Sequence, residues 1–131
     1  MGDARLRTLE VAMRLAGRGP FLPDVTGEAA ARRRDELTAL VCEARRDHAT
    51  ALLAAGHAAE AAAAARAAAA AEPFREDGWR LLMRAEAAAR GPASALPAYL
   101  ECAAALREVG LEPSAGTREL LGRLRDAVPG G

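Results

Sequence analysis

The chain contains few aromatic residues, no lysine and no excess of either charge. Aromatic side chains make up 3% of its 131 residues and hydrophobic residues 51%, so most of the apolar content is alanine and leucine. This composition favours helices that pack closely through small side chains, because alanine has the highest helix propensity. Valine and threonine are scattered, and no run alternates in the pattern of a half-buried strand. The sequence therefore predicts an all-α chain.

The balance of charges argues against a surface that binds nucleic acid. All 18 basic residues are arginine, and 18 acidic residues match them, which gives a formal net charge of zero. Excess positive charge supplies most of the non-specific affinity of proteins for DNA. We therefore expect no direct DNA binding by this chain alone.

Length and hydropathy indicate one domain outside the membrane. A chain of 131 residues is long enough to bury a core without metals or disulfides, so we expect residues 1–131 to form a single domain. No segment approaches the roughly 20 apolar residues that a membrane-spanning helix needs, and the N-terminus lacks the pattern of a cleaved leader. We expect a cytoplasmic protein that does not contact a membrane.

Residues that catalyse reactions or bind metals do not occur in a known arrangement. Cys42 and Cys102 fall in separate predicted helices, and we expect reduced, partly buried thiols. His48 and His57 are not spaced as a metal-binding pair on one helix face. The glycines of the GRGP segment follow no strand, so they do not form a phosphate-binding loop. We predict no enzyme activity, no catalytic residues, no metal and no cofactor.

Helix and turn signals recur at about 34 residues, which is the tetratricopeptide period. Three pairs of equivalent positions show this spacing: His48 and Leu82, Ala61 and Ala95, and Ala65 and Tyr99. The turn glycines Gly56 and Gly91 agree with the period to within one residue, and Pro73 ends the first unit. With a further helix over residues 3–16 and one after Ser114, the sequence predicts a tetratricopeptide-like right-handed solenoid of about six helices.

Apolar residues mark the face of each helix that we expect to be buried. In the long helix that ends at Gly56 they are Leu37, Leu40, Val41, Ala44, His48, Ala51, Leu52 and Ala55. In the two helices after Pro73 they are Trp79, Leu82 and Met83, then Leu96, Tyr99, Leu100, Ala103 and Leu106. We expect Trp79 to be largely buried, Gly110 to end its helix and Ser114 to cap the last helix.

Several segments together resemble a known family. They are GRGPFLPD, ARRRDEL, EPFREDGWRLLMRA and REVGLEPSAGTRELLGRL, and the resemblance extends over residues 6–124. These segments are similar to the bacterial transcriptional activator domain, the tetratricopeptide-like half of the Streptomyces antibiotic regulatory protein family of transcription activators. Family members usually carry a winged helix-turn-helix domain before this one, and we expect none within residues 1–131. The resemblance begins partway, so we expect the first family helix to be missing.

The resemblance implies a non-enzymatic protein–protein interaction module. It would be the activation and oligomerisation domain of a regulator of secondary metabolism, including antibiotic biosynthesis. Its partners would be a second copy, an adjoining DNA-binding domain or RNA polymerase subunits. The alternative is a stand-alone tetratricopeptide-like adaptor or ligand sensor that binds a peptide or a hydrophobic small molecule. A winged helix-turn-helix upstream of Met1 would favour the regulator, and a true start codon at Met1 would favour the adaptor.

Charged residues on neighbouring helices suggest a groove for a partner. Asp77, Arg80 and Arg84 recur at i, i+3 and i+7, and Arg46 and Thr50 take the matching places one repeat earlier. Guanidinium groups in such a groove can hold the carboxylates of an acidic peptide bidentately. The alternative is a solvated face whose charges are paired with local acids. We call these five residues the predicted groove.

The helix predicted over residues 3–16 has apolar residues beyond a single face, notably Leu6, Val11 and Leu15. If the preceding family helix is missing, these residues lie on an uncovered surface, and contiguous apolar patches of this kind usually find a partner. We therefore expect a homodimer with two-fold symmetry. The alternative is a monomer in which Phe21 and Leu22 fold back over them.

Overall fold

The computed structural model describes residues 27–127, which form helices joined by short turns. Five α-helices follow one another: α1 (Glu28–Ala54), α2 (Ala58–Ala71), α3 (Glu76–Arg90), α4 (Ala95–Arg107) and α5 (Ala115–Asp126), with a 3-10 helix at Pro92–Ser94. Residues 27–127 contain no strand, and the all-α prediction is confirmed for them. The helix predicted over residues 3–16 lies outside the described residues, as do Leu6, Val11 and Leu15.

Two glycines end helices in a left-handed conformation. Gly56 after α1 has φ of 86°, and Gly110 after α4 has φ of 75°. At both ends the amide of the next residue donates to the carbonyl oxygen five residues earlier, at 2.9 Å. This is the Schellman arrangement, which favours glycine because a Cβ would be strained there. The predicted turns at these two glycines are confirmed.

Proline and serine set further boundaries. α2 ends at Ala71, just before the Glu72-Pro73 pair, because proline disfavours helical geometry in the residue before it. At the start of α5 the Ser114 hydroxyl accepts a hydrogen bond from the Thr117 amide at 3.4 Å. Ser114 therefore caps this helix as predicted.

The central helix is α3, which packs against each of the other four helices. Its buried residues include Trp79, Leu82, Met83 and Ala85. Trp79 is 8% exposed, and its indole N–H donates to the Pro73 carbonyl oxygen at 2.9 Å. The predicted burial of Trp79 is confirmed, and its hydrogen bond ties α3 to the loop before it.

The contact between α2 and α3 depends on small residues. Ala61, Ala65 and Ala69 of α2 are fully buried, and Gly78 of α3 is also buried. A Cβ added at Gly78 would lie 3.0 Å from the Ala69 amide nitrogen, closer than side chains normally approach backbone. The two backbones approach this closely because Gly78 has no side chain. We call this region the α2–α3 contact.

The prediction of which α4 residues are buried is wrong in part. The structure buries Ala95, Ala98, Cys102 and Leu106, whereas Leu100 is 56% exposed. The prediction followed the large apolar residues, but α4 packs mainly through small ones, which permit a closer approach. Only Leu106 among the predicted large residues is fully buried.

The prediction of the buried stripe on α1 is likewise wrong in part, and Ala55 at its end is exposed. Leu37 and Leu40 are 46% and 61% exposed, while Ala51 and Leu52 are buried. At 27 residues α1 spans roughly 40 Å and its neighbour α2, with 14 residues, roughly 21 Å. α1 is thus too long for α2 to cover, and the residues of α1 before Val41 are exposed except Ala30.

Candidate interaction surface

On α1, Arg46 and Thr50 of the predicted groove make contacts within the chain. The Arg46 guanidinium forms an ion pair with Glu72, in the loop after α2, and its side chain is largely buried. The exposed Thr50 hydroxyl donates to the Arg46 carbonyl oxygen at 2.9 Å, a bond within its own helix turn. A partner's carboxylate would therefore compete with Glu72 for Arg46.

In the first turn of α3, Asp77 lies between two guanidinium groups. Its Oδ2 accepts from Nε of Arg75 at 2.9 Å, and its Oδ1 accepts from Nη2 of Arg80 at 2.5 Å. The Arg75 hydrogen bond is the main cause that lowers the pKa of Asp77 below its ordinary value. Partial burial opposes this effect, and the positive charges of Arg75, Arg80 and Arg46 reinforce it. Asp77 is therefore ionised at neutral pH.

The last two groove residues differ in their surroundings. Arg80 donates from Nη1 to the Thr117 hydroxyl at 3.0 Å, in addition to its bond with Asp77. Arg84 is exposed and makes no ion pair or hydrogen bond with another residue in the range 27–127. The structure thus brings Asp77 and Arg80 into direct contact, and leaves Thr50 and Arg84 as the exposed members of the predicted groove.

Glu76, to which sequence reasoning gave no role beyond the family resemblance, holds the start of α5. Its Oε1 accepts from the Ser114 amide at 2.9 Å, the Ser114 hydroxyl at 3.1 Å and the Thr117 hydroxyl at 2.5 Å. Thr117 is fully buried, and its oxygen also accepts from Arg80. We call Glu76, Asp77, Arg80, Ser114 and Thr117 the α3–α5 junction.

The hydrogen bonds at the junction keep Glu76 charged. Partial burial, the largest single influence, favours the neutral carboxyl. Hydrogen bonds from Thr117 and Ser114, together with the charge of Arg80, outweigh burial and lower the pKa of Glu76. A carboxylate with a lowered pKa is a weak base, and the Thr117 hydroxyl is already donated to it. The arrangement suits a structural role, in which Glu76 holds α3 against the start of α5.

The two cysteines are buried and unpaired with each other. Burial, reinforced by the nearby Glu76 carboxylate, raises the pKa of the Cys102 thiol to about 11. Burial and Glu72 also raise the pKa of the Cys42 thiol. Thiols with raised pKa values react slowly because the thiolate is the nucleophile. Within the described residues, no three His, Cys, Asp or Glu side chains converge as metal ligands would.

The helical fold and a comparison with known families identify the class of this chain as a helical domain of transcription regulators. Residues 3–125 match the family model described as bacterial transcriptional activator domain. Because the match covers nearly the whole chain, the chain belongs to the bacterial transcriptional activator domain family. That family is not a known family of enzymes. Neither the curated proteins nor the solved structures give a significant match.

None of the helices within residues 27–127 has the length and apolar character needed to cross a bilayer.

Proposed function

We propose that this chain is the activation and oligomerisation module of a transcription regulator of secondary metabolism, and that it acts through protein contacts. The observation that carries the proposal is the family match over residues 3–125. The resemblance to the Streptomyces regulators supports the link to secondary metabolism. Because such a regulator works at the chromosome, we propose a cytoplasmic location.

The proposed architecture is a tetratricopeptide-like right-handed solenoid. Each described helix packs against the next, and α3 also contacts α1 and α5, the helices two places away on either side. Together with the spacing of about 34 residues between equivalent positions, this pattern supports stacked helix pairs. Stacked pairs offer long helix faces, which suit protein association.

The predicted groove remains a proposal, with its residues in two roles. Thr50 and Arg84 are exposed and would contact a partner directly. Arg46, Asp77 and Arg80 are engaged with residues of this chain, and they would hold the helices that carry the exposed pair. An acidic partner segment would pair with Arg84.

Homodimer formation through Leu6, Val11 and Leu15 also remains a proposal. Light scattering over a concentration series tests it, and we expect the mass of a dimer for the unmodified chain. Leu6→Glu or Leu15→Glu should return the mass to that of a monomer, because a buried charge without a partner destabilises an apolar interface. A monomeric mass for the unmodified chain at high concentration would contradict the dimer.

Binding of the purified chain to RNA polymerase and to duplex DNA, compared at one salt concentration, tests the proposed function. We expect saturable binding to the polymerase and no specific binding to DNA. The chain has no net positive charge, so it lacks the electrostatic attraction to phosphates on which DNA affinity largely depends. Specific DNA binding that survives competitor DNA would contradict the proposal, as would failure to bind the polymerase.

A further inference from the structure

A groove of about 500 Å³ opens at the corner between α4 and α5. Its lining includes Tyr99, Ala103 and Arg107 of α4, Leu111 and Pro113 of the connecting segment, and Arg118 of α5. None of these residues belongs to the predicted groove or to the α3–α5 junction. We call this site the corner groove.

The corner groove offers apolar surface to a ligand. Leu111 is 53% exposed, although it is a large hydrophobic residue, and Tyr99 is only half-buried. Pro113 is buried. Binding sites commonly combine such apolar surface with a few placed polar groups. One apolar side chain of a partner would find contact surface on Leu111 and Tyr99.

The charges of the corner groove favour an anionic ligand. Arg107 and Arg118 form no ion pair within the described range, and Glu112 is the single acidic residue of the lining. Five arginines of the described range are each paired with a carboxylate of the chain, whereas Arg107 and Arg118, like Arg84 and Arg123, are not; the five are Arg46, Arg66, Arg75, Arg80 and Arg90. The corner groove therefore carries positive charge that no carboxylate of the described chain neutralises by direct contact.

One of the two guanidinium groups is also held in place. Arg118 donates from Nη1 to the Pro113 carbonyl oxygen at 3.3 Å. A guanidinium has five N–H donors, so this bond leaves the others available to a carboxylate. Holding an arginine near its bound position reduces the entropy that binding must remove.

We propose that the corner groove binds a short acidic segment of a partner protein. An apolar side chain of that segment contacts Tyr99 and Leu111, and flanking carboxylates pair with Arg107 and Arg118. The inference rests on the proposed function in one respect, namely that the ligand is a protein.

Fluorescence polarisation with the full chain tests this proposal. The probe is a fluorescein-labelled peptide in which Asp and Glu flank Leu and Phe, and the control peptide carries Lys in place of each acid. We expect saturable binding of the acidic peptide only. Arg107→Glu and Arg118→Glu should each weaken it about tenfold, the effect of losing one charged hydrogen-bonded contact. The doubly reversed chain should bind the Lys peptide instead.

Arg123→Glu provides a matched control, because Arg123 is an exposed arginine on the same helix α5 but does not line the corner groove. Circular dichroism verifies that each variant is folded. Equal weakening by Arg123→Glu would overturn the proposal, because it would show general attraction between charges. Loss of binding through Arg84→Glu alone would place the peptide in the predicted groove and would also overturn it. Binding of single-stranded DNA that displaces the peptide would assign the site to nucleic acid.

The polymerase experiment separates failure of this proposal from failure of the proposed function. If the acidic peptide does not bind while RNA polymerase still does, the corner groove is not the peptide site and the proposed function stands. If the peptide binds as expected but the polymerase does not, the corner groove stands and its partner is another protein.

Discussion

The central helix α3 contacts α2 and α5 through different chemistry. Against α2 the contact includes Gly78, whose Cβ would lie 3.0 Å from the backbone of Ala69, and the α2 residues that are fully buried are alanines. Against α5 the contact includes a carboxylate, two hydroxyls and a guanidinium, joined by hydrogen bonds of 2.5 to 3.1 Å. The first contact depends on the absence of side-chain volume, and the second on the ionisation of Glu76. Substitution and pH should therefore affect the two contacts differently.

Loss of Trp79 should destabilise the chain most, because it removes a large buried ring and the indole hydrogen bond to Pro73. We expect Trp79→Ala to lower the free energy of unfolding by about 3 to 5 kcal/mol. Urea unfolding followed by circular dichroism measures this, since Trp79 is the sole tryptophan and its fluorescence disappears with it. Trp79→Phe keeps an aromatic ring and should lower the free energy of unfolding by less. Equal stability of Trp79→Ala and the unmodified chain would contradict the burial.

A methyl group at Gly78 should disrupt the α2–α3 contact. We expect Gly78→Ala to lower the free energy of unfolding by about 1 to 3 kcal/mol, because the backbone of Ala69 would have to move. Gly122→Ala in α5 is the matched control, since nothing lies within 4 Å of the added Cβ. There the higher helix propensity of alanine should raise stability by up to about 1 kcal/mol. Stabilisation by both substitutions would show that the α2–α3 contact is loose.

Acidification should weaken the α3–α5 junction and leave the α2–α3 contact unaffected. The folded chain lowers the pKa of Glu76, so Glu76 stabilises the fold above its unfolded pKa of about 4.3, and this stability disappears as pH falls through the folded value. Glu76→Gln should cost about 1 to 3 kcal/mol at neutral pH. Unfolding measured from pH 7 to 3 should show a smaller pH dependence in Glu76→Gln than in the unmodified chain. In Gly78→Ala, by contrast, the free energy of unfolding should change with pH as much as it does in the unmodified chain.

The smallest effect is expected at the surface pair between α2 and α4. The Arg66 guanidinium lies 3.0 Å from the Glu101 carboxylate, and both side chains are about half exposed. Water and salt screen such a pair, so Arg66→Ala should change the free energy of unfolding by about 0 to 1 kcal/mol. Thermal unfolding at low and high salt measures the change. A loss as large as that of Gly78→Ala would mean that α2 depends on charge as well as on close packing.

The turns were predictable from sequence because their signals are local. Gly56, Pro73, Gly110 and Ser114 each act on the backbone within a few residues, and the structure places helix ends at all of them. The inner face of α4 was not predictable from hydropathy, because close packing favoured its alanines over Leu100.

The sequence indicated only some of the contacts of the α3–α5 junction. Ser114 was identified as a helix cap, but its second partner, Glu76, lies 38 residues earlier. Arg80 was predicted to face a partner, and the structure joins it to Thr117, 37 residues later. No local pattern distinguishes a charged side chain that will meet a distant helix from one that stays solvated. Such pairings can be identified only once the packing of the helices is known.

The central claim is that this chain is an activation module that acts through protein contacts. Transcription from a promoter to which the chain is recruited tests this claim most directly. The chain is fused to an unrelated bacterial DNA-binding domain whose operator lies upstream of a weak promoter, and transcript is measured with purified RNA polymerase. We predict several-fold more transcript than with the DNA-binding domain alone, and a loss of that increase in the Trp79→Ala fusion, which we expect to be less stably folded. Equal transcript from the fusion and from the DNA-binding domain alone, with the fusion folded and bound at the operator, would contradict the account.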